Sequence, residues 1–342
     1  MITSIPPYRF TAMQGNDIKT VLVTGANGFI GSRVCRLLFD SGYAIRIICR
    51  ETSDLSLLSG IPYSKMIADI TRPESLAGSV KDVDYIIHLA GLVAARNEAA
   101  FREVNEQGTY NLISAVRRHN PRLKRFVLVS SAAATGPSHG LARHEDDAPT
   151  PITTYGRSKL AGEKVLVPFF NEIPITIIRP PAVYGPGDQA IFTLFKLINR
   201  GLRPYLGGGR NRVQMVYVDD LARAIKTAME AARGKGEAFY IADEEAHTLR
   251  EMIDCIGELT GRKGIHLSIP RWVMYLAALM TELGGKLVGR PPVFSREKVR
   301  ELTADWKLDV SKAQEQIGFT TAVDFAAGAR LTLEWYRRQG WL

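Results

Sequence analysis

Residues 19–42 read KTVLVTGANGFIGSRVCRLLFDSG. The stretch passes from a run of strand formers, through a loop holding Gly25, Gly28 and Gly31, into a segment whose apolar Ile30, Val34, Leu37 and Leu38 recur at helical spacing. Strand, glycine turn and helix in that order make a first βα unit, where backbone N–H groups and the positive end of the helix can hold a pyrophosphate. The glycine spacing is G-x-x-G-x-x-G, wider at its first gap than the G-x-G-x-x-G fingerprint, so the position of the loop carries the reading.

Working outward, YAIRIICR, VDYIIHLAG, RFVLVSSA and PITIIRPPAVYG are further β-rich runs, separated by helical segments such as EVNEQGTYNLISAVRRH. This alternation predicts an α/β protein: a Rossmann-type doubly wound parallel sheet with a smaller, mostly helical C-terminal substrate domain. We expect a loose leader at 1–18, a dinucleotide-binding domain at 19–182 plus 214–243, and a substrate-binding domain at 183–213 plus 244–342.

At 342 residues, with 46% hydrophobic and 23% charged, the chain can bury a large core and has the balance of an ordinary globular protein. Cys35, Cys49 and Cys255 are too few and too scattered for a disulfide framework, which makes a reducing cytoplasm the expected compartment. The net charge of +9 is spread along the chain without a nucleic-acid module, so the expected partner is a small, anionic molecule and not a nucleic acid. The most apolar run, Trp272–Met280, meets Glu282 and Lys286 before the roughly 18 uncharged residues of a membrane span, so no transmembrane segment is expected. That run reads as a wall or lid of a substrate cleft, the other reading being peripheral membrane contact through 271–288.

The second strand ends at Cys49 and Arg50. An acid at this place bonds the ribose 2′-OH, whereas an arginine accommodates a 2′-phosphate. Arg50 therefore favours NADP(H), and Glu51 keeps NAD(H) as the alternative. His88, at the end of a buried strand, reads as a satisfied core histidine. HEDD at His144–Asp147 reads as solvated loop acids with no metal bound, and Asp219 with Asp220 as N-terminal caps of a helix.

In TTYGRSKLAGE, Thr153–Glu163, Tyr155 and Lys159 stand four residues apart and share one helix face. No other tyrosine of the chain has a lysine at that distance. A free phenol titrates near about 10, and bringing it to neutrality takes about 4 kcal/mol. A nearby ammonium partly shielded from water, together with the charge of a bound nicotinamide, is of a size to supply much of that, which makes the pair a candidate proton-transfer device.

TGANGFIG, ADI at Asp69, HLAG at His88–Gly91, VNEQGT at Asn105, VSSAAATG, YGRSK and RPPAVYGPGD follow one another in an order and spacing that resembles the extended short-chain dehydrogenase/reductase superfamily, also called the NAD(P)-dependent epimerase/dehydratase superfamily. The resemblance is nearest the 3β-hydroxysteroid dehydrogenase-like and dihydroflavonol reductase-like branch. It implies Ser131, Tyr155 and Lys159 as catalytic residues with Asn105 on the helix behind them. It further implies a cofactor held by Gly25, Asn27, Gly28, Phe29, Ile30, Gly31, Arg50, Asp69, Ile70, Leu89, Ala90, Gly91, Val129, Tyr155, Lys159, Pro180 and Val183, and a homodimer. Nucleotide-sugar enzymes of the family usually carry Tyr-Gly where this chain has Thr135-Gly136, an asparagine near Ala182, and an arginine near Val213, with Arg212 one residue out of register. The leading expectation is thus an oxidoreductase interconverting a secondary alcohol and a ketone on a largely apolar, sterol-like or other cyclic substrate. A nucleotide-sugar epimerase or dehydratase is the alternative, and a non-catalytic NADP-sensing binding protein is the reading from another class.

Overall fold

The computed structural model describes residues 18–288 and 294–342, so all of the expected leader except Ile18 lies outside the described residues. The strands are β1 (Thr20–Thr24), β2 (Ala44–Cys49), β3 (Ser64–Ile67), β4 (Tyr85–His88), β5 (Arg125–Val129), β6 (Ile175–Arg179), β7 (Ala182–Tyr184), β8 (Leu202–Leu206), β9 (Arg212–Val213), β10 (Met215–Tyr217), β11 (Glu237–Tyr240), β12 (His247–Thr248) and β13 (Ile265–Ile269). The α-helices are α1 (Phe29–Asp40), α2 (Ala77–Val80), α3 (Glu98–Phe101), α4 (Gly108–His119), α5 (Thr154–Lys164), α6 (Phe192–Asn199), α7 (Val218–Glu230), α8 (Leu249–Thr260), α9 (Arg271–Val288), α10 (Arg296–Leu302), α11 (Ser311–Ile317) and α12 (Phe325–Arg338).

Seven strands form one sheet in the order β3-β2-β1-β4-β5-β6-β11, every neighbouring pair parallel. The chain runs outward from β1 to β3, returns beside β1 as β4, and then proceeds the other way, which opens a crevice at the C-terminal ends of β1 and β4. Both faces of the sheet are covered. Val21 and Val23 point into a core shared with α1 and α7, while Leu22 joins Ile86 and Phe126 under α4. Burial on both sides is why these strands read as continuous apolar runs. The predicted fold class is what the structure shows.

Three local readings change. PITIIRPPAVYG is two strands: β6 belongs to the main sheet, whereas β7 pairs with β10, because Pro180 and Pro181 lack the N–H groups that would continue the ladder. β3, with sequence SKMI, escapes a sequence reading because it is a largely exposed edge strand and needs no apolar run. Asp219 and Asp220 are not caps: α7 has no side-chain cap. Asp220 is buried, takes an ion pair from Arg223, and accepts the N–H groups of Ala322 and Val323, while Asp219 faces Arg33 on α1 at 3.6 Å.

Candidate active site

The residues singled out from the sequence converge at one edge of the sheet. Gly25 follows β1, Arg50 follows β2, Asp69 and Ile70 follow β3, Leu89–Gly91 follow β4, Ser131 follows β5 and Pro180 follows β6. Gly25 adopts φ +70, and a Cβ there would lie 2.7 Å from the Ala90 nitrogen. At Gly31 a Cβ would come within 2.1 Å of the Gly25 carbonyl oxygen. These contacts draw the loop tightly between α1 and the end of β4. Gly28 is the N-cap of α1 and offers no side-chain cap, and the first turn of α1 carries no acid. A helix N-terminus left in this state fits an anionic pyrophosphate, so the residues present suit a dinucleotide.

Around this loop the smaller contacts are set by the chain itself. Asn27 donates to the Asp54 carbonyl at 3.2 Å, and the Ala90 N–H donates to Thr24 Oγ1 at 3.1 Å. Burial pushes the Asp69 carboxyl up, but hydrogen bonds from the Thr71 N–H and hydroxyl, with Arg50 and Arg72 nearby, hold it below its ordinary value. Arg50 itself is exposed at the end of β2. His88 is a core residue, as expected: it shares hydrogen bonds with Thr24 at 2.7 Å and Thr109 at 3.1 Å. Burial, then the Lys159 charge, depresses its pKa to about 3, so the ring is neutral at pH 7.

α5 is capped by Thr153, whose hydroxyl accepts the Gly156 N–H at 3.0 Å. Its Tyr155 lies with its ring 6.3 Å from that of Phe101, and Ser131 stands near enough to the phenol to act on its pKa. Lys159 donates from Nζ to the Val129 carbonyl at 2.8 Å. Behind them the chain forms a π-helical turn over Arg102–Gln107. There Asn105 is buried, accepts the Leu92 N–H at 2.7 Å, and donates to Leu92 O and to Ser158 Oγ at 3.0 and 2.8 Å. α5 approaches this turn so closely that a Cβ on Gly162 would sit 2.4 Å from the Asn105 carbonyl oxygen. Ser131, Tyr155, Lys159 and Asn105 thus form one cluster.

The expected acidification of the phenol is not found in the chain's own groups. Burial pushes Tyr155 up to about 12; the nearby Ser131 hydroxyl works the other way, and the Glu301 carboxylate adds to the rise. Lys159 is turned to a backbone carbonyl, and burial lowers its pKa to about 8 against the opposing pull of Glu163. Removal of water from both groups outweighs the attraction that sequence spacing suggests.

Two supporting contacts have no sequence signature. Glu163 and Arg179 form a fork-to-fork ion pair with 2.8 Å between closest atoms, their side chains 5% and 12% exposed, joining α5 to the end of β6. Glu297, on α10, accepts the Thr154 N–H at 2.8 Å, the Thr154 hydroxyl at 2.9 Å and Arg157 Nη2 at 3.2 Å. A carboxylate at a helix N-terminus opposes the positive end of the dipole, so α10 fastens the first turn of the tyrosine helix. Replacing a capping acceptor costs about 0.5–2 kcal/mol, and the 38% exposure of Glu297 puts it at the low end. In Glu297→Ala we expect amide exchange to speed up at Thr154–Gly156 while the central strands stay protected; an unchanged rate there would mark the contact as incidental.

A half-buried tyrosine and lysine one turn apart, beside a glycine loop at the switch point of a parallel sheet, define a dinucleotide-dependent oxidoreductase. A model of the NAD dependent epimerase/dehydratase family matches residues 21–242, and the chain belongs to that family. It is 30% identical to a ceramide reductase of Caulobacter vibrioides over 94% of this chain and 96% of that one. It is 26% identical to a 3-beta-hydroxysteroid dehydrogenase of Mycolicibacterium neoaurum over 89% and 87%. Among solved structures, the UDP-glucose 4-epimerase of Thermotoga maritima with UDP-glucose superposes with a TM-score of 0.78 at 25% identity, covering 94% of this chain and 99% of that one.

Proposed function

We propose that the protein interconverts a secondary alcohol and a ketone on a largely apolar substrate, with Tyr155 as general acid and base. The observation that carries this reading is the placement of Tyr155 and Lys159 one turn apart on α5, with Lys159 Nζ fixed by the Val129 carbonyl at 2.8 Å and Ser131 close enough to the phenol to lower its pKa. A bound nicotinamide would supply or accept the hydride. Tyr155 Oη, protonated at neutral pH, donates its proton to the substrate oxygen, and in the other direction receives it. Ser131 fixes that oxygen beside the phenol. Lys159, charged below about pH 8, steadies the phenolate left by proton donation, and Asn105 holds the π-turn against which α5 is seated.

The apolar substrate class is supported by the reductase and steroid dehydrogenase among the relatives and by the residues Ala182, Arg212 and Val213 at places where sugar-diphosphate contacts are expected. The epimerase reading keeps one specific support, the similarity to the Thermotoga enzyme. We take residues 183–213 and 244–342 as the substrate-binding part, the remainder from 19 as the cofactor-binding part, and a homodimer as the assembly.

Arg50 favours NADP(H), since an exposed guanidinium at the end of β2 can pair with a 2′-phosphate. Titrating the protein with NADPH and NADH while following nucleotide fluorescence tests the reading. NADPH is expected to bind more tightly, and Arg50→Ser to remove about tenfold of that preference. Absence of affinity for either nucleotide would overturn the proposed function, and an unchanged preference in the variant would remove Arg50 from the site.

A further inference from the structure

The outer face of α9 is left uncovered by the rest of the described residues. Trp272, Leu276, Leu279, Met280 and Leu283 are 69%, 53%, 40%, 63% and 49% exposed, and their spacing places them on one side of the helix. The opposite side is packed: Met274 and Ala278 are buried against Val299 of α10. The strand immediately before the helix, β13, continues the outward apolar surface with Ile265 at 71% and Leu267 at 49%. Exposed apolar side chains concentrated in this way mark a docking surface.

Charge says what docks there. Between Leu259 and Thr281 the chain carries Arg262, Lys263, His266 and Arg271 and no acid; Arg262, Lys263 and Arg271 are exposed. The next acid, Glu282, is engaged by Arg296 at 2.9 Å. A second copy meeting this face about a twofold axis would set basic rim against basic rim. An anionic bilayer complements both the cations and the apolar stripe. Among the described residues no helix is long and apolar enough to cross a membrane, so α9 would lie in the plane of the interface.

We propose that the outer face of α9 and the adjoining strand β13 seat the protein on an anionic lipid surface, from which the apolar substrate is drawn. The last clause rests on the function proposed above; the docking does not. Beneath α9, α10 reaches the first turn of the Tyr155 helix through Glu297, so the seated face and the candidate site belong to one connected unit.

The test is co-sedimentation of the full chain with vesicles of phosphatidylglycerol and phosphatidylcholine, and with phosphatidylcholine alone. Binding is expected to the anionic vesicles, to weaken as salt is raised, and to fall at least about tenfold in Leu276→Asp/Met280→Asp and, separately, in Arg262→Glu/Lys263→Glu. NADH titration of the same variants should match the parent protein. Three results would overturn the proposal: no partition to anionic vesicles, equal partition of the variants, or a dimer that the Leu276→Asp/Met280→Asp variant dissociates without any vesicle binding by the parent. Vesicle binding without affinity for NADPH or NADH would leave the docking in place and remove the enzymatic reading; nucleotide binding without vesicle binding would do the reverse.

Discussion

Tyr155→Phe should reduce turnover by about 10²–10⁴-fold, the range that a positioned general acid contributes, with nucleotide binding and melting temperature close to those of the parent. The ring would keep its contact with Phe101, so the change removes a proton donor and little packing. Measurement requires only an alcohol or ketone that the parent converts, followed through nucleotide absorbance. A variant with full activity would exclude Tyr155 as the acid. The pH profile carries a second check. With the phenol held near 12 and Lys159 near 8, ketone reduction should be level from neutral pH to about 8. It should then decline as Lys159 loses its charge and the phenolate product loses its neighbour. Alcohol oxidation needs the phenolate and should rise with pH over the same interval. A reduction rate that climbs through pH 8 would contradict the assignment.

Glu163→Gln is expected to destabilise the fold by about 3–5 kcal/mol, the cost of leaving a buried charge without its partner. Arg179 would keep its bond to the Glu145 carbonyl and its place near the Tyr240 ring, and the Glu145 carboxylate that also acts on it does so more weakly than Glu163. Urea unfolding measures the effect. Restoring the balance by also changing Arg179→Met should recover most of the loss, because a well-packed apolar pair is often as stable as a buried ion pair. If Glu163→Gln alone shifts the unfolding midpoint by less than the error, the pair is structurally idle. The same change should lower the Lys159 pKa further below about 8, since Glu163 opposes the effect of burial on that ammonium.

What could be read from the sequence was what local chemistry dictates. The run before Gly25 had to be a buried strand, and the three glycines permit contacts that no side chain could share. Tyr155 and Lys159 share a helix face because an α-helix brings every fourth residue around. Long-range partners could not be read in this way. Glu297 lies 143 residues from Thr154, and no periodicity links them. The Glu163–Arg179 pair joins a helix to a strand across a connection of no fixed pattern. The part of the tyrosine's acidity set by the chain itself was hidden for the same reason: spacing gives the distance between two groups but not the water each has lost. On α9, apolar composition left a cleft wall and a membrane-facing patch both open, and only packing tells which side of a helix is covered.

The grip of Glu297 on Thr154 also constrains the order of events at birth. Every strand of the nucleotide sheet, through β11, leaves the ribosome before α10 does. A nascent chain can therefore assemble the whole glycine cradle while the tyrosine-bearing segment still lacks its terminal anchor. Competence to hold nucleotide would be acquired first, and competence to use it only near the end of synthesis.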